Sequence, residues 1–145
     1  MTPPAPALLD TDTLSALLRR SPAVVRRARH HLDAYGHLTF SAITRYEILR
    51  GLKARGALRQ QEAFEDFCAA NIVVPLTAAV VVSAAEIYAD LRRREELIGD
   101  ADIPIAATAA VEERAVATNN RRHFDRVEGL RVENWLRDAG GEEAP

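Results

Sequence analysis

Four acidic residues stand where the surrounding sequence gives them chemical weight. Asp10 follows the apolar run Ala7-Leu8-Leu9, Asp12 lies two residues on, Glu47 sits between Tyr46 and Ile48, and Asp102 opens Asp102-Ile103-Pro104. A carboxylate bordering an apolar run is drawn toward burial, which is costly for a charge without a partner. Carboxylates, with no set of histidines and cysteines at ligand spacing, form an oxygen-only donor group that selects a hard cation, magnesium or manganese, over zinc. Such a cation orients and activates water and neutralises charge on phosphoryl oxygens. Without it, two like charges about 4 Å apart repel by about 4 kcal/mol at an effective dielectric of 20. One acid is therefore expected to hold a proton until metal binds. Each acid also has a structural role open to it. Asp12 or Thr11 can cap a helix, Glu47 can pair with Arg50, and Asp102 can cap the helix containing Pro104, a duty Asp100 could share.

These acids must be positioned by alternating strands and helices. Ala7 to Leu9 reads as a strand that delivers Asp10 to its exit, and Leu14, Leu17 and Leu18 recur at helical spacing behind it. Ser21-Pro22 opens a second helix that runs to about Tyr35, where Gly36 stops it. His37 to Phe40 is the next expected strand. A helix starting at Ser41 or Thr44 then carries Ile43, Tyr46, Leu49 and Leu52 to Arg55-Gly56, and another spans about Ala57 to Ala70. Ile72 to Val74 reads as strand three, Thr77 as the cap of the helix after it, and Gly99 as the break in that pattern. Asp102 opens a helix to about Glu113, Ala115 to Thr118 is strand four, Asn119-Asn120 a turn, and Leu130 to Val132 strand five. Short strands alternating with helices imply a parallel sheet covered on both faces. In such sheets ligands bind beyond the carboxyl ends of the strands, where Asp10 and the Thr118–Asn120 turn both lie.

The 145 residues suffice for one domain, with hydrophobic residues at 48% and charged residues at 28%, outside the disordered regime. The lone Cys68 permits no internal disulfide and reads as a small buried hydrophobe, consistent with a cytoplasmic home. The residues from Met1 to Pro6 lack the pattern of a signal peptide. The stretch between Asp66 and Glu86 carries no charge, but Asn71, Pro75, Thr77 and Ser83 divide it into a strand and a helix, so no membrane span is expected. The net charge is -2, yet the cations are nearly all arginine and clustered: Arg26, Arg27 and Arg29; Arg92 to Arg94; Arg121 and Arg122. Arginine's planar fork suits phosphate, although charge runs are commonly solvated helix faces.

Asp10-Thr11-Asp12-Thr13 also fits the D-x-D-x-T signature of haloacid-dehalogenase-type phosphatases, with Asp10 as nucleophile and Asp12 as acid/base. Gly99-Asp100 mimics the last motif of that group, but Pro104 stands where a second aspartate belongs, and Lys53 is the sole lysine.

Four segments, in order along nearly the whole chain, resemble PIN-domain ribonucleases of the VapC toxin type. They are Leu8-Leu9-Asp10-Thr11-Asp12-Thr13-Leu14-Ser15, the run from Ser41 to Leu52 around Glu47, Asp102-Ile103-Pro104-Ile105-Ala106-Ala107-Thr108-Ala109, and Thr118-Asn119-Asn120-Arg121-Arg122-His123-Phe124 followed by Gly129 to Trp135. The resemblance implies a three-layer α/β/α PIN-like domain over residues 1–136, with four to five short parallel strands and a flexible tail at 137–145. It implies that Asp10, Glu47 and Asp102 converge on magnesium or manganese to cleave RNA, transfer RNA or another structured cellular RNA, leaving 5′-phosphate and 3′-hydroxyl ends. It also implies a homodimer and a VapB-like antitoxin whose C-terminal segment covers the acids. The closing motif departs from the family by carrying His123 where an acid is common. Asp12, Asn120, His123 and Asp125 compete for that fourth position, and Asn120 is favoured as the residue that orients water or phosphate. A PIN scaffold that lost catalysis with its fourth acid, and only binds RNA or a partner, is the remaining alternative.

Overall fold

The computed structural model describes residues 2–137, so the expected tail from 138 onward lies outside the described residues. Along the chain run β1 (Ala7–Leu9), α1 (Thr11–Leu18), α2 (Pro22–Tyr35), β2 (Thr39–Ser41), α3 (Ala42–Ala54), α4 (Leu58–Ala70), β3 (Ile72–Val74), α5 (Ala78–Arg93), α6 (Asp102–Val111), β4 (Ala115–Ala117), α7 (Arg121–Phe124) and β5 (Val132–Glu133). The strands form one sheet in the order β3-β2-β1-β4-β5, and every pairing is parallel. The chain moves outward from β1 on one side through β2 and β3, then returns to pair β4 on the other. The switch point of the sheet therefore lies between the carboxyl ends of β1 and β4, where open α/β sheets bind ligands.

Both faces of the sheet are covered, which explains why strand residues are apolar without alternation. Ala7 and Leu9 of β1 point with Ala117 toward Leu14, Val24, Leu52 and Phe64, carried on the helices α1 to α4. Leu8 points with Val116 the other way, into Leu91, Ile103, Ile105 and Phe124 from α5, α6 and α7. Cys68 is a buried member of the first cluster, as its sequence setting suggested. Small residues let α6 bury most of its circumference: Ala106, Ala107 and Ala109 are fully inaccessible. Thr77 caps α5 by accepting from the Val80 N–H at 3.2 Å, and among the described residues no helix is long and apolar enough to cross a membrane.

Several boundaries differ from the sequence expectation. The second strand occupies 39–41 rather than 37–40, because Gly36 ends α2 in a left-handed conformation (φ 83°) and the Leu38 N–H is taken by the Asn71 side chain at 2.8 Å. The fifth strand occupies 132–133 rather than 130–132. Here Leu130 still belongs to a turn closed on the Val127 carbonyl, through Gly129 at φ 78°. Helix α5 ends at Arg93, before Gly99, and the loop beyond it is tied down by Arg126, which donates to the Glu96 and Leu97 carbonyls. The four-residue α7 is too short to leave a periodic trace and was not expected.

One buried polar contact makes the fold sensitive to acid. His31 on α2 is inaccessible, and its Nε2 accepts from the Ala7 N–H of the central strand at 3.2 Å, while its ring packs between Tyr35 and Trp135. Burial, followed by repulsion from Arg114, pushes its pKa below the usual 6.5. A base held neutral in the native state supports stability above its unfolded pKa and loses that support as pH falls through 6.5 toward the depressed native value. The unfolding free energies of wild type and His31→Gln, measured in urea, should therefore differ by a constant above about pH 7. Below about pH 6.5 the difference should move in the variant's favour.

Candidate active site

At the switch point, Asp10 leaves β1 with its N–H bonded to the Ala117 carbonyl of β4 at 3.0 Å. Its side chain is the N-cap of α1, accepting from the Thr13 N–H at 2.9 Å. The expected cap was Asp12 or Thr11; it is Asp10, since a carboxylate at the strand exit meets the free amides of the first turn before either of its neighbours can. Asp10 is 3% exposed. Burial raises its pKa to about 6, against the opposing pull of hydrogen bonds from the Thr118 hydroxyl and the Thr13 amide.

Asp102 was expected to cap α6 but is the helix's first residue, with Ala101 at the cap position and no side-chain cap bond. The helix starts early because the Asp102 and Ile103 amides both close on the Gly99 carbonyl. The carboxyl, freed from capping, is also raised to about 6, first by burial and then by repulsion from Glu47 and Asp12. Like-charge repulsion, the cause expected from sequence, thus ranks second to desolvation. Among the described residues no three acidic, histidine or cysteine side chains form a preassembled ligand set. The acids share one neighbourhood without closing on a point.

Glu47 comes from α3, whose start is set by Ser41 accepting from the Ile43 N–H. Its Oε1 accepts from the Thr11 hydroxyl at 2.5 Å, and Thr11 Oγ1 lies 3.0 Å from the Thr44 hydroxyl. Glu47 also pairs with Arg50, one turn on, at 3.7 Å, so the structural role open to it in sequence is filled as well. A pair this open to water contributes little. Glu47 and Asp102 face each other across a cleft of about 560 Å³ bordered by Ile43, Tyr46, Arg50 and Pro104.

The contenders for a fourth position separate clearly. Asp12 is exposed, yet its charge acts on both Asp10 and Asp102. Asp125 stands at the C-cap of α7, paired with Arg121 at 3.3 Å. Asn120 has its side-chain nitrogen 2.7 Å from His123 Nδ1, and its backbone N–H donates to the Thr118 hydroxyl at 2.8 Å. Asn120 and His123 thus touch each other, and Asn120 reaches Asp10 only through Thr118. The hydroxyls of Thr11, Thr44 and Thr118 are the site groups whose roles sequence reasoning missed; the available signal was their placement within three residues of Asp10, Glu47 and Asn120.

Comparison with known proteins bears on what this arrangement does. The PIN domain family matches residues 7–130. The tRNA(fMet)-specific endonuclease VapC of Shigella flexneri is 33% identical over 129 residues, covering 88% of this chain and 96% of that protein. Ribonuclease VapC2 of Haemophilus influenzae is 32% identical over 130 residues, covering 89% and 97%. Among solved structures, DNA-bound VapBC from Salmonella typhimurium superposes with a TM-score of 0.80 at 25% identity, covering 91% of this chain and 99% of that one. VapBC2 from Rickettsia felis, bound to a DNA fragment from its promoter, does so at 0.79 and 22%, covering 89% and 98%, a likeness of fold alone.

Proposed function

The chain belongs to the PIN-domain family as a VapC-type ribonuclease, and on that premise we propose that it hydrolyses phosphodiester bonds of structured cellular RNA, such as transfer RNA, with magnesium or manganese. The observation that carries this reading is the acid group itself: Glu47 and Asp102 line one cleft, Asp12 acts electrostatically on both Asp102 and the buried Asp10, and Asp10 and Asp102 are each raised to about 6. An oxygen-only donor set in which burial and mutual repulsion oppose ionisation suits a hard divalent cation, whose charge relieves both. Asp10, Glu47 and Asp102 would hold it, with Asp12 as the fourth acid in reach. When bound, it supplies Lewis-acid stabilisation of phosphoryl charge and acidifies water. The Thr11 hydroxyl orients Glu47, the Thr118 hydroxyl and Thr13 amide hold Asp10, and Asn120 acts on the site through its backbone N–H, which fixes the Thr118 hydroxyl.

Partners follow from the same premise. The relatives of known structure include complexes named VapBC, and a groove of about 650 Å³ opens beside Glu47 between Thr11, Ile48, Phe64 and Phe67. A VapB-like antitoxin segment would lie there, against the acids. Val81, Val82 and Tyr88 on α5 are exposed apolar residues suited to a homodimer contact.

Incubation of the chain with total RNA and manganese tests the reaction, with mapping of 5′-phosphate and 3′-hydroxyl ends. Because Asp10 and Asp102 must both lose protons to serve, log kcat/KM should rise with pH, with a slope approaching about 2 well below pH 6, and level off above about pH 7. With manganese held well below saturation, so that the metal-free acids govern the rate, a pH-independent kcat/KM between about 5 and 7 would remove both acids from the reaction. Should manganese neither raise the melting temperature nor support cleavage of any RNA, the chain is a binding scaffold. The phosphatase reading of the same turn needs Asp12 as an acid/base and an aspartate at Pro104; trapping of a phosphoryl group on Asp10 would revive it.

A further inference from the structure

Beyond the carboxyl ends of β4 and β5, alongside α2, lies a polar cavity of about 740 Å³ that the acids do not enter. Four arginines, Arg27, Arg121, Arg122 and Arg137, line it together with Asn120 and Asn134. They come from three distant stretches of chain, so the folded sheet, not a local basic run, brings them together. Among the described residues Glu133 is the sole acid lining the cavity, and it is already engaged. It lies 3.5 Å from Arg27 and accepts from the Trp135 indole N–H at 3.0 Å. Arg121 is likewise committed, to the Val132 carbonyl at 3.0 Å and to Asp125. Arg27 stands over the Trp135 ring, 5.9 Å from its centroid. These contacts make a fixed wall.

Among the described residues Arg122 and Arg137 have no ion-pair or hydrogen-bond partner, and the cavity lining there sets four guanidiniums against one carboxylate. Guanidinium forks match the tetrahedral oxygens of a phosphate and carry no preference for a base. The cavity is joined to the acids by one residue: Asn120 lines it, and the Asn120 N–H holds the Thr118 hydroxyl that bonds Asp10. A strand with its scissile phosphate at Asp10 would lay a neighbouring phosphate here.

We propose that this cavity is a subsite for a backbone phosphate of the RNA strand next to the one being cut, held by Arg122 and Arg137. The assignment rests on the ribonuclease reading for its substrate, but its test does not require cleavage. Binding of a short fluorescein-labelled single-stranded RNA to the metal-free Asp10→Asn chain is measured by anisotropy across a salt series. Neutralising the pair, Arg122→Gln with Arg137→Gln, should weaken binding on the order of tenfold at low salt. The slope of log affinity against log salt should shrink by roughly 0.7 for the one phosphate released. Arg59→Gln, an exposed arginine of α4 near the opposite edge of the sheet, should leave the slope in place. In the active chain the pair should raise KM more than it lowers kcat, as expected for lost uniform binding.

An unchanged slope, or an equal loss in Arg59→Gln, overturns the subsite. So does displacement of the RNA by a polyglutamate peptide at matched charge concentration with the same dependence on Arg122 and Arg137, which would assign the cavity to an acidic protein partner. Failure of the wild-type chain to cut RNA with manganese would instead overturn the reaction and leave the slope measurement standing.

Discussion

Asp10→Asn is expected to lower RNA cleavage by at least about 10³-fold while leaving the metal-free protein as stable as wild type or more so. The loss of rate follows from removing a carboxylate from a site that must stabilise phosphoryl charge by several kcal/mol, each 1.36 kcal/mol being tenfold. The stability result follows from the sign of the pKa shift. An acid held at about 6 when folded, against 3.8 when unfolded, contributes stability only while protonated. That contribution is complete below about 3.8 and is lost as pH rises through 6, so at neutral pH the ionised carboxylate opposes folding by about 3 kcal/mol. Asparagine removes the charge and keeps an oxygen for the Thr13 N–H, being as good an N-cap as aspartate. Thermal melts of both proteins in chelator from pH 4 to 8 check this. Wild type should lose stability across 4 to 6 relative to the variant, with His31 contributing equally to both. Asp10→Ala, which also removes the cap, should melt below Asp10→Asn by about 0.5–2 kcal/mol. A large loss of stability in Asp10→Asn would make Asp10 a structural residue and detach it from the reaction.

Trp135→Ala should have the largest effect on stability, about 3–5 kcal/mol. Trp135 is 1% exposed and heads the buried side chains by volume. It follows the short edge strand β5, returns to the face of the sheet covered by α2, and meets His31 at 5.8 Å between ring centroids and Arg27 through its ring face. Its indole N–H bond to Glu133 makes the loss more than one of volume, since truncation leaves Glu133 facing Arg27 alone. Urea unfolding followed by far-ultraviolet circular dichroism measures it. A loss under about 1 kcal/mol would mean that residues 132–137 dock weakly on the rest. In that event the arginine cavity, which shares Arg27 and Glu133 with this contact, would not hold its shape.

Much of this architecture is legible in the sequence, and the parts that are not share a physical cause. Most capping and stop signals worked where they are local: Pro22 opens α2, Gly36 ends it and Thr77 caps α5, whereas Ser21 occupies the cap position of α2 without a side-chain cap bond. Strand registers slipped by one or two residues at β2 and β5, because buried strands of two or three residues carry no alternation by which to place them. Asp10, Glu47 and Asp102 were legible as acids in unusual settings, and their grouping came from resemblance. The surrounding structure was not legible: that Asp10 is itself the cap, that Thr11 and Thr118 hold the carboxylates, and that Asn120 faces an arginine cavity instead of the acids. Those placements depend on the strand order, and strand order is not written in any local pattern. Asp12 shows the same limit in reverse. It reads as a cap, yet its charge is felt at both buried acids.

The position of β1 at the centre of the sheet has a consequence for how the protein comes into being. Its neighbour β4 pairs Ala7 with Ala115 and Leu9 with Ala117, partners separated by most of the chain. Asp10 donates its N–H to the Ala117 carbonyl, and its carboxylate accepts from the Thr118 hydroxyl, only when that pairing closes. A chain made from its N-terminus has therefore synthesised Asp10 and Glu47 long before, and Asp102 shortly before, it has the strand that seats the first of them. At about 5–20 residues per second, the residues between Asp102 and Thr118 take about 1–3 s to add, and the long-range parallel pairing that follows is itself slow to form. The seat of Asp10 is thus among the last parts of the site that synthesis can complete.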